Sequence, residues 1–164
     1  MSKAWIEELA EDIKHKNHEA AEEYGRAQHR NGVITAQGRI FFTDLVRILE
    51  DNITQLRAQL QGDPASADLA IQTTGATHVH ITRSRFPWVD ATILHHDPTI
   101  TLEYAKDPGI TGDPAIAERK TLIFDFHVAP DDKLSVQDAF GDTPHSYATP
   151  EDLARRITEI LFAA

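Results

Sequence analysis

Between Thr121 and Val128 the chain reads TLIFDFHV, and its side chains divide into two sets. Leu122, Phe124, Phe126 and Val128 point one way, and Thr121, Ile123, Asp125 and His127 the other. That period of two is the mark of a strand with one buried face. Such a strand needs pairing partners on its edges and apolar cover over its phenylalanines, so the chain around it must supply more strands and at least one amphipathic helix.

The helices are visible upstream. Ile6, Leu9, Ile13, Ala20, Tyr24 and Ala27 fall three, four or seven residues apart, which predicts one stripe of a helix from Ser2 to about Arg30, with Trp5 flanking it. Lys16 and Asn17 interrupt the stripe, and Gly25 costs the helix about 1 kcal/mol relative to alanine. Asn31-Gly32 reads as a stop, because both residues tolerate the left-handed backbone that ends many helices. Phe42, Leu45, Leu49, Ile53, Leu56 and Leu60 then form a second and firmer stripe, widened by Phe41 and Ile48 and ended at Gln61-Gly62-Asp63-Pro64. The short connection predicts an antiparallel helical hairpin whose second arm faces both its mate and the sheet.

From about Asp68 to Phe140 the pattern alternates. It predicts strands near 69–73, 77–84, 88–95, 99–105, 120–129 and 133–139, with short turns apart from the Lys106–Arg119 loop, and hence a mostly antiparallel meander. Thr149 as N-cap, Pro150 at the first helical position and the acids Glu151 and Asp152 open a last helix, which lays Leu153, Ile157, Ile160 and Leu161 on the sheet. The expected fold class is α+β, one domain over 1–164. It comprises an N-terminal helical hairpin (1–62), a five- to six-stranded mostly antiparallel sheet (63–148) and a C-terminal helix packed on that sheet (149–164).

Composition narrows the function classes. There is no cysteine among the 164 residues, which removes disulfides, thiolate metal sites and cysteine nucleophiles, and suits a cytoplasmic setting. No apolar run approaches a membrane span, so no membrane partner is expected. The formal charge of −10, from 26 acids and 16 bases, disfavours a nucleic-acid partner and favours a neutral or basic one. Residues 63–164 hold sixteen of the acids, but Asp63, Asp97, Asp107 and Asp113 each precede a proline, where aspartate serves turn formation.

Nine histidines invite a metal reading. His78 and His80 flank Val79, so on a strand both imidazoles leave the same face, and Asp125 and His127 do the same further on; His95, His96 and Asp97 end a third strand. A divalent ion needs three or four such ligands converging at about 2 Å, which requires the two pairs to sit on neighbouring strands. Otherwise they are the solvated face of a one-sided sheet. A hydrolytic version, with His127 or His80 as base oriented by Asp125 or Glu103, lacks a nucleophile in any strained turn. A separate stretch, Thr82 to Trp88, interleaves bases with aromatics, and Arg83, Arg85, Phe86 and Trp88 have the composition of a protein-contact patch; the alternative is that Phe86 and Trp88 fill the end of the core.

The sequence therefore favours a non-enzymatic cytoplasmic binding or regulatory module acting through a protein partner, without a cofactor. The alternative is a metal-binding or metal-dependent hydrolytic domain using His78, His80, Asp125 and His127. Helix 1, with Trp5 and its thin stripe, offers a further possibility, pairing across a two-fold axis as a homodimer.

Overall fold

The computed structural model describes residues 3–63, 68–84, 88–106, 118–138 and 144–163. Its elements are α1 (Ala4–Gln59), β1 (Ala70–Thr74), β2 (His78–Arg83), β3 (Val89–His96), β4 (Thr99–Lys106), β5 (Lys120–Val128), β6 (Leu134–Asp138), β7 (His145–Tyr147) and α2 (Pro150–Phe162). The class is α+β. The seven strands among the described residues form one antiparallel sheet in chain order, a simple meander.

Two expectations are corrected. The helical hairpin is a single 56-residue helix, about 84 Å long at 1.5 Å per residue. Asn31 and Gly32 are ordinary helical residues within it. The physical reason is phase: Ala27, Ile34, Phe41 and Ile48 keep the apolar stripe running through them, and one Asn-Gly costs only about 1 kcal/mol against an otherwise continuous pattern. The second correction is a seventh strand, His145–Tyr147, whose three residues are too few to show alternation.

The core lies between one sheet face and the helices. Phe41, Phe42, Leu45, Leu49 and Ile53 of α1 meet Val79, Ile81, Ala91, Ile93, Ile100, Leu102, Phe124, Phe126 and Val136 of the sheet, with Leu153, Ala154, Ile157 and Leu161 of α2 beside them. In TLIFDFHV, Phe124 and Phe126 are buried and Asp125 and His127 exposed, as the alternation requires. Gly38 lets α1 approach the sheet closely; a Cβ there would stand 3.2 Å from the Phe126 ring.

Both ends of α2 are closed by side chains. Thr149 Oγ1 accepts from the Asp152 amide at 3.2 Å, the expected N-cap. No basic residue sits in the last turn of α2; Lys106, at the end of β4, serves instead. Its Nζ donates to the carbonyls of Ile160 (2.9 Å) and Ala163 (3.1 Å), bringing positive charge to the negative end of the helix. Lys106→Met keeps the aliphatic stem and removes both bonds. We expect it to cost about 1 kcal/mol, read as a lower urea midpoint with an unchanged slope.

The first half of α1 projects from this body. Residues 3–26 are exposed throughout, and the first contact recorded between the arm and the sheet is His29, whose Nε2 lies 3.0 Å from both carboxylate oxygens of Asp132 in the β5–β6 turn.

Candidate functional site

The sheet face opposite the helices is polar, and it receives every sequence-predicted metal ligand. Strand phase puts His78 and His80 of β2 on this face and, through the meander, Asp125 and His127 of β5 as well. The two pairs are not neighbours, because β3 and β4 lie between them. Three inter-strand spacings of about 4.8 Å separate β2 from β5 by about 14 Å, far beyond what one ion spans. Cross-strand register shows what intervenes: His80 faces Thr92, which faces Glu103, which faces Thr121. Asp125 stands between Thr99 and Gln137, and His127 opposite Ser135. Among the described residues no group of three or more His, Asp or Glu side chains could hold a metal ion.

His80 has found a different partner. Its Nε2 lies 2.6 Å from Asp90 Oδ1 on β3, and Arg119 Nη1 donates to Asp90 Oδ2 at 2.9 Å. Partial burial raises the Asp90 carboxyl, but the hydrogen bonds from Arg119 and His80 outweigh it and hold the group below the usual aspartate range. Asp90 is thus an anionic bridge between two donors that ties β2, β3 and the approach to β5 together.

The predicted contact patch is divided. Arg83 continues the inward phase of Val79 and Ile81 and is 4% exposed, and Trp88 is 5% exposed at the entrance to β3, so neither presents a surface to a partner. Trp88 fills the end of the core instead. Arg85 and Phe86 lie outside the described residues.

Two groups on the core side carry perturbed protonation. His95 follows Val89, Ala91 and Ile93 in phase and stacks on Phe42 (centroids 5.1 Å, 28° between planes), with Phe126 edge-on at 5.7 Å. Burial drives its pKa below the ordinary imidazole value, against the raising effect of the Asp97 carbonyl 3.3 Å from Nε2. Asp138 is buried and accepts from the Tyr147 hydroxyl at 2.7 Å and the His145 amide at 3.3 Å. Burial, then the Asp138 contact, push the Tyr147 hydroxyl up to about 12. These bonds explain how a three-residue strand holds its place at the sheet edge.

The feature that stands apart from structural duty is the arm. Ile6, Leu9, Ile13 and Tyr24 lie on one stripe of it, with Trp5 alongside, and all are exposed: Trp5 by 66%, Ile13 by 50% and Tyr24 by 65%. Lone exposed apolar residues are ordinary on a protein surface; here they recur at helical spacing along one stripe. The helix propensities and the i,i+4 ion pair of Lys16 with Asp12 (3.6 Å) support the arm only modestly. Among the described residues no helix is long and apolar enough to cross a membrane. Comparisons with protein families, characterised proteins and solved structures give no match. The residues themselves carry the functional reading.

Proposed function

We propose that this chain is a non-enzymatic protein-interaction module, in which the sheet-and-helix body anchors a projecting helical arm and the arm's apolar stripe engages a protein partner. The observation that supports it is the exposure of Trp5, Ile6, Leu9, Ile13 and Tyr24 on a helix whose second half buries one apolar face in the core. An amphipathic helix presenting anchors at i, i+3, i+4 and i+7 is a recurrent recognition element, received by a groove or a second helix. The same helix roots the stripe in the core through Phe41, Phe42, Leu45, Leu49 and Ile53, so binding at the arm is mechanically joined to the body.

The test compares wild type with Ile6→Asp/Ile13→Asp/Tyr24→Asp. These sites lie outside the core, so the cooperative unfolding of the body is expected to stay within about 0.5 kcal/mol of wild type. The assay is the solution mass and polypeptide composition of the native complex. A partner present with wild type, whether a second copy or another chain, and absent with the triple variant supports the reading. Identical mass and composition for both proteins would falsify it.

A further inference from the structure

Resting on that reading, we infer that the arm's partner is a second copy of this chain, and that the two arms pair antiparallel along a heptad seam. Ile6, Ile13, Ala20, Ala27, Ile34 and Phe41 recur every seven residues, and Ala10, Asn17, Tyr24, Asn31, Gly38 and Leu45 recur every seven four places on. Together they fall on the d and a positions of a coiled-coil heptad, in which Asn17, Asn31 and Gly38 are the members without an apolar side chain. The last members of the seam are already occupied: Gly38, Phe41 and Leu45 are buried on this chain's own sheet, and Ile34 packs against the same core. The free members, from Ile6 to Asn31, continue that stripe into solvent.

This continuity selects the direction. A parallel, in-register partner would follow the seam past Ile34 and run into the sheet where Gly38 meets Phe126. An antiparallel partner can end where the sheet begins. Its Ile6 then lies opposite Asn31, Ala10 opposite Ala27, Ile13 opposite Tyr24 and Asn17 opposite Ala20, and its own body emerges beyond this chain's tip. The pairing uses the whole exposed arm and nothing more.

Charge and shape agree with it. Residues 7–12 carry four acids and no base, while residues 26–30 carry Arg26 and Arg30 and no acid. Antiparallel pairing sets each acidic tip against the other copy's basic segment, whereas parallel pairing sets acid against acid. At the flanking g positions Lys16 faces Glu23 of the second copy, twice by symmetry; the present contact of Lys16 with Asp12 is exposed and free to exchange. A parallel pair has no opposite charges at its g and e positions. Ala20, Glu23, Tyr24 and Ala27 line an open depression on the arm, the hole into which Ile13 of the second copy fits as a knob.

The test uses the full chain. Sedimentation equilibrium should give a dimer, and Ile13→Asp/Tyr24→Asp a monomer with an unchanged body. Lys16→Glu alone should weaken dimerisation about tenfold, and so should Glu23→Lys alone. The double variant Lys16→Glu/Glu23→Lys should restore it, because the exchanged charges meet again. Because the chain has no cysteine, introduced thiols report direction without background: a mixture of Ile13→Cys and Tyr24→Cys chains should cross-link, and neither alone. Cross-linking of Asn17→Cys without Ile13→Cys to Tyr24→Cys linkage would mean a parallel pair and overturn the proposal. A monomer at all concentrations would also overturn it. In that case a different co-purifying chain lost on Ile6→Asp/Ile13→Asp/Tyr24→Asp would leave the interaction-module reading standing, and binding of the monomer to phosphatidylcholine vesicles would assign the stripe to a lipid surface.

Discussion

Replacing Phe42 by alanine is expected to destabilise the body by about 3–5 kcal/mol, the usual cost of emptying a phenylalanine site in a packed core. Phe42 is 1% exposed, sits where α1 crosses the sheet, and forms one wall of the His95 site. For a chain of this size the loss corresponds to about 6–20 °C in Tm. The same variant should change the pH response. His95 has a pKa below its unfolded value because burial opposes its charged form. Between that folded value and the unfolded value near 6.5, the unfolded chain therefore binds more protons than the native one, so native stability falls as pH drops through this window and levels off below it. Opening the Phe42 side to water relieves the burial, raises the His95 pKa toward the ordinary value and flattens the dependence. Denaturant midpoints against pH, with the His95 ring protons followed by NMR, measure both effects. Phe42→Leu, which leaves a smaller void, keeps the titration readable if the alanine variant is too unstable. A Phe42→Ala protein with wild-type stability, or one whose acid-side slope is unaltered, would contradict the packing described here.

The sheet was legible in the sequence because alternation is a local signal. Six strands are readable to within a residue or two. The seventh strand was not, since His145–Tyr147 depends on bonds to Asp138 rather than on periodicity. The long helix reads as two from local signals because Asn31-Gly32 resembles a stop, whereas the deciding information is the apolar phase that continues across it. The ligand pairs fared differently from the strands that carry them. Their face was readable, but their separation depends on strand order, and His80 could equally have met Asp125 in another topology. Asp90, its actual partner, sits two residues from the directly opposed position Thr92, a diagonal relation visible only once the register is known. The arm left a trace in the thin stripe with Trp5, but that its residues lie free of the body follows only from the sheet beginning opposite the second half of the helix.

Gly38→Leu is expected to be the most damaging single change on α1 that adds rather than removes volume. The modest control is Gly38→Ala. Its Cβ would meet Phe126 Cε2 at 3.2 Å and Cζ at 3.3 Å, so the ring must yield by a few tenths of an ångström. Phe126 has little room to do so, being held edge-on by Phe41 at 5.7 Å and by His95 at 5.7 Å on β3. The gain of about 1 kcal/mol that alanine brings to a helix is therefore largely cancelled at Gly38. At Gly32, where a Cβ would have nothing within 4 Å, the same substitution keeps its full gain in helicity. Leucine at 38 cannot be absorbed by a small ring movement. It must push α1 off the sheet or force Phe126 from its rotamer, and we expect a loss of about 3 kcal/mol, at the upper end for overpacked cores. Urea unfolding of Gly32→Ala, Gly38→Ala and Gly38→Leu, with helicity followed by circular dichroism, ranks the three. If Gly38→Ala were as stabilising as Gly32→Ala, or Gly38→Leu were tolerated, the close approach of helix and sheet at Phe126 would not exist. The seam would then not pass from sheet to solvent where the arm begins.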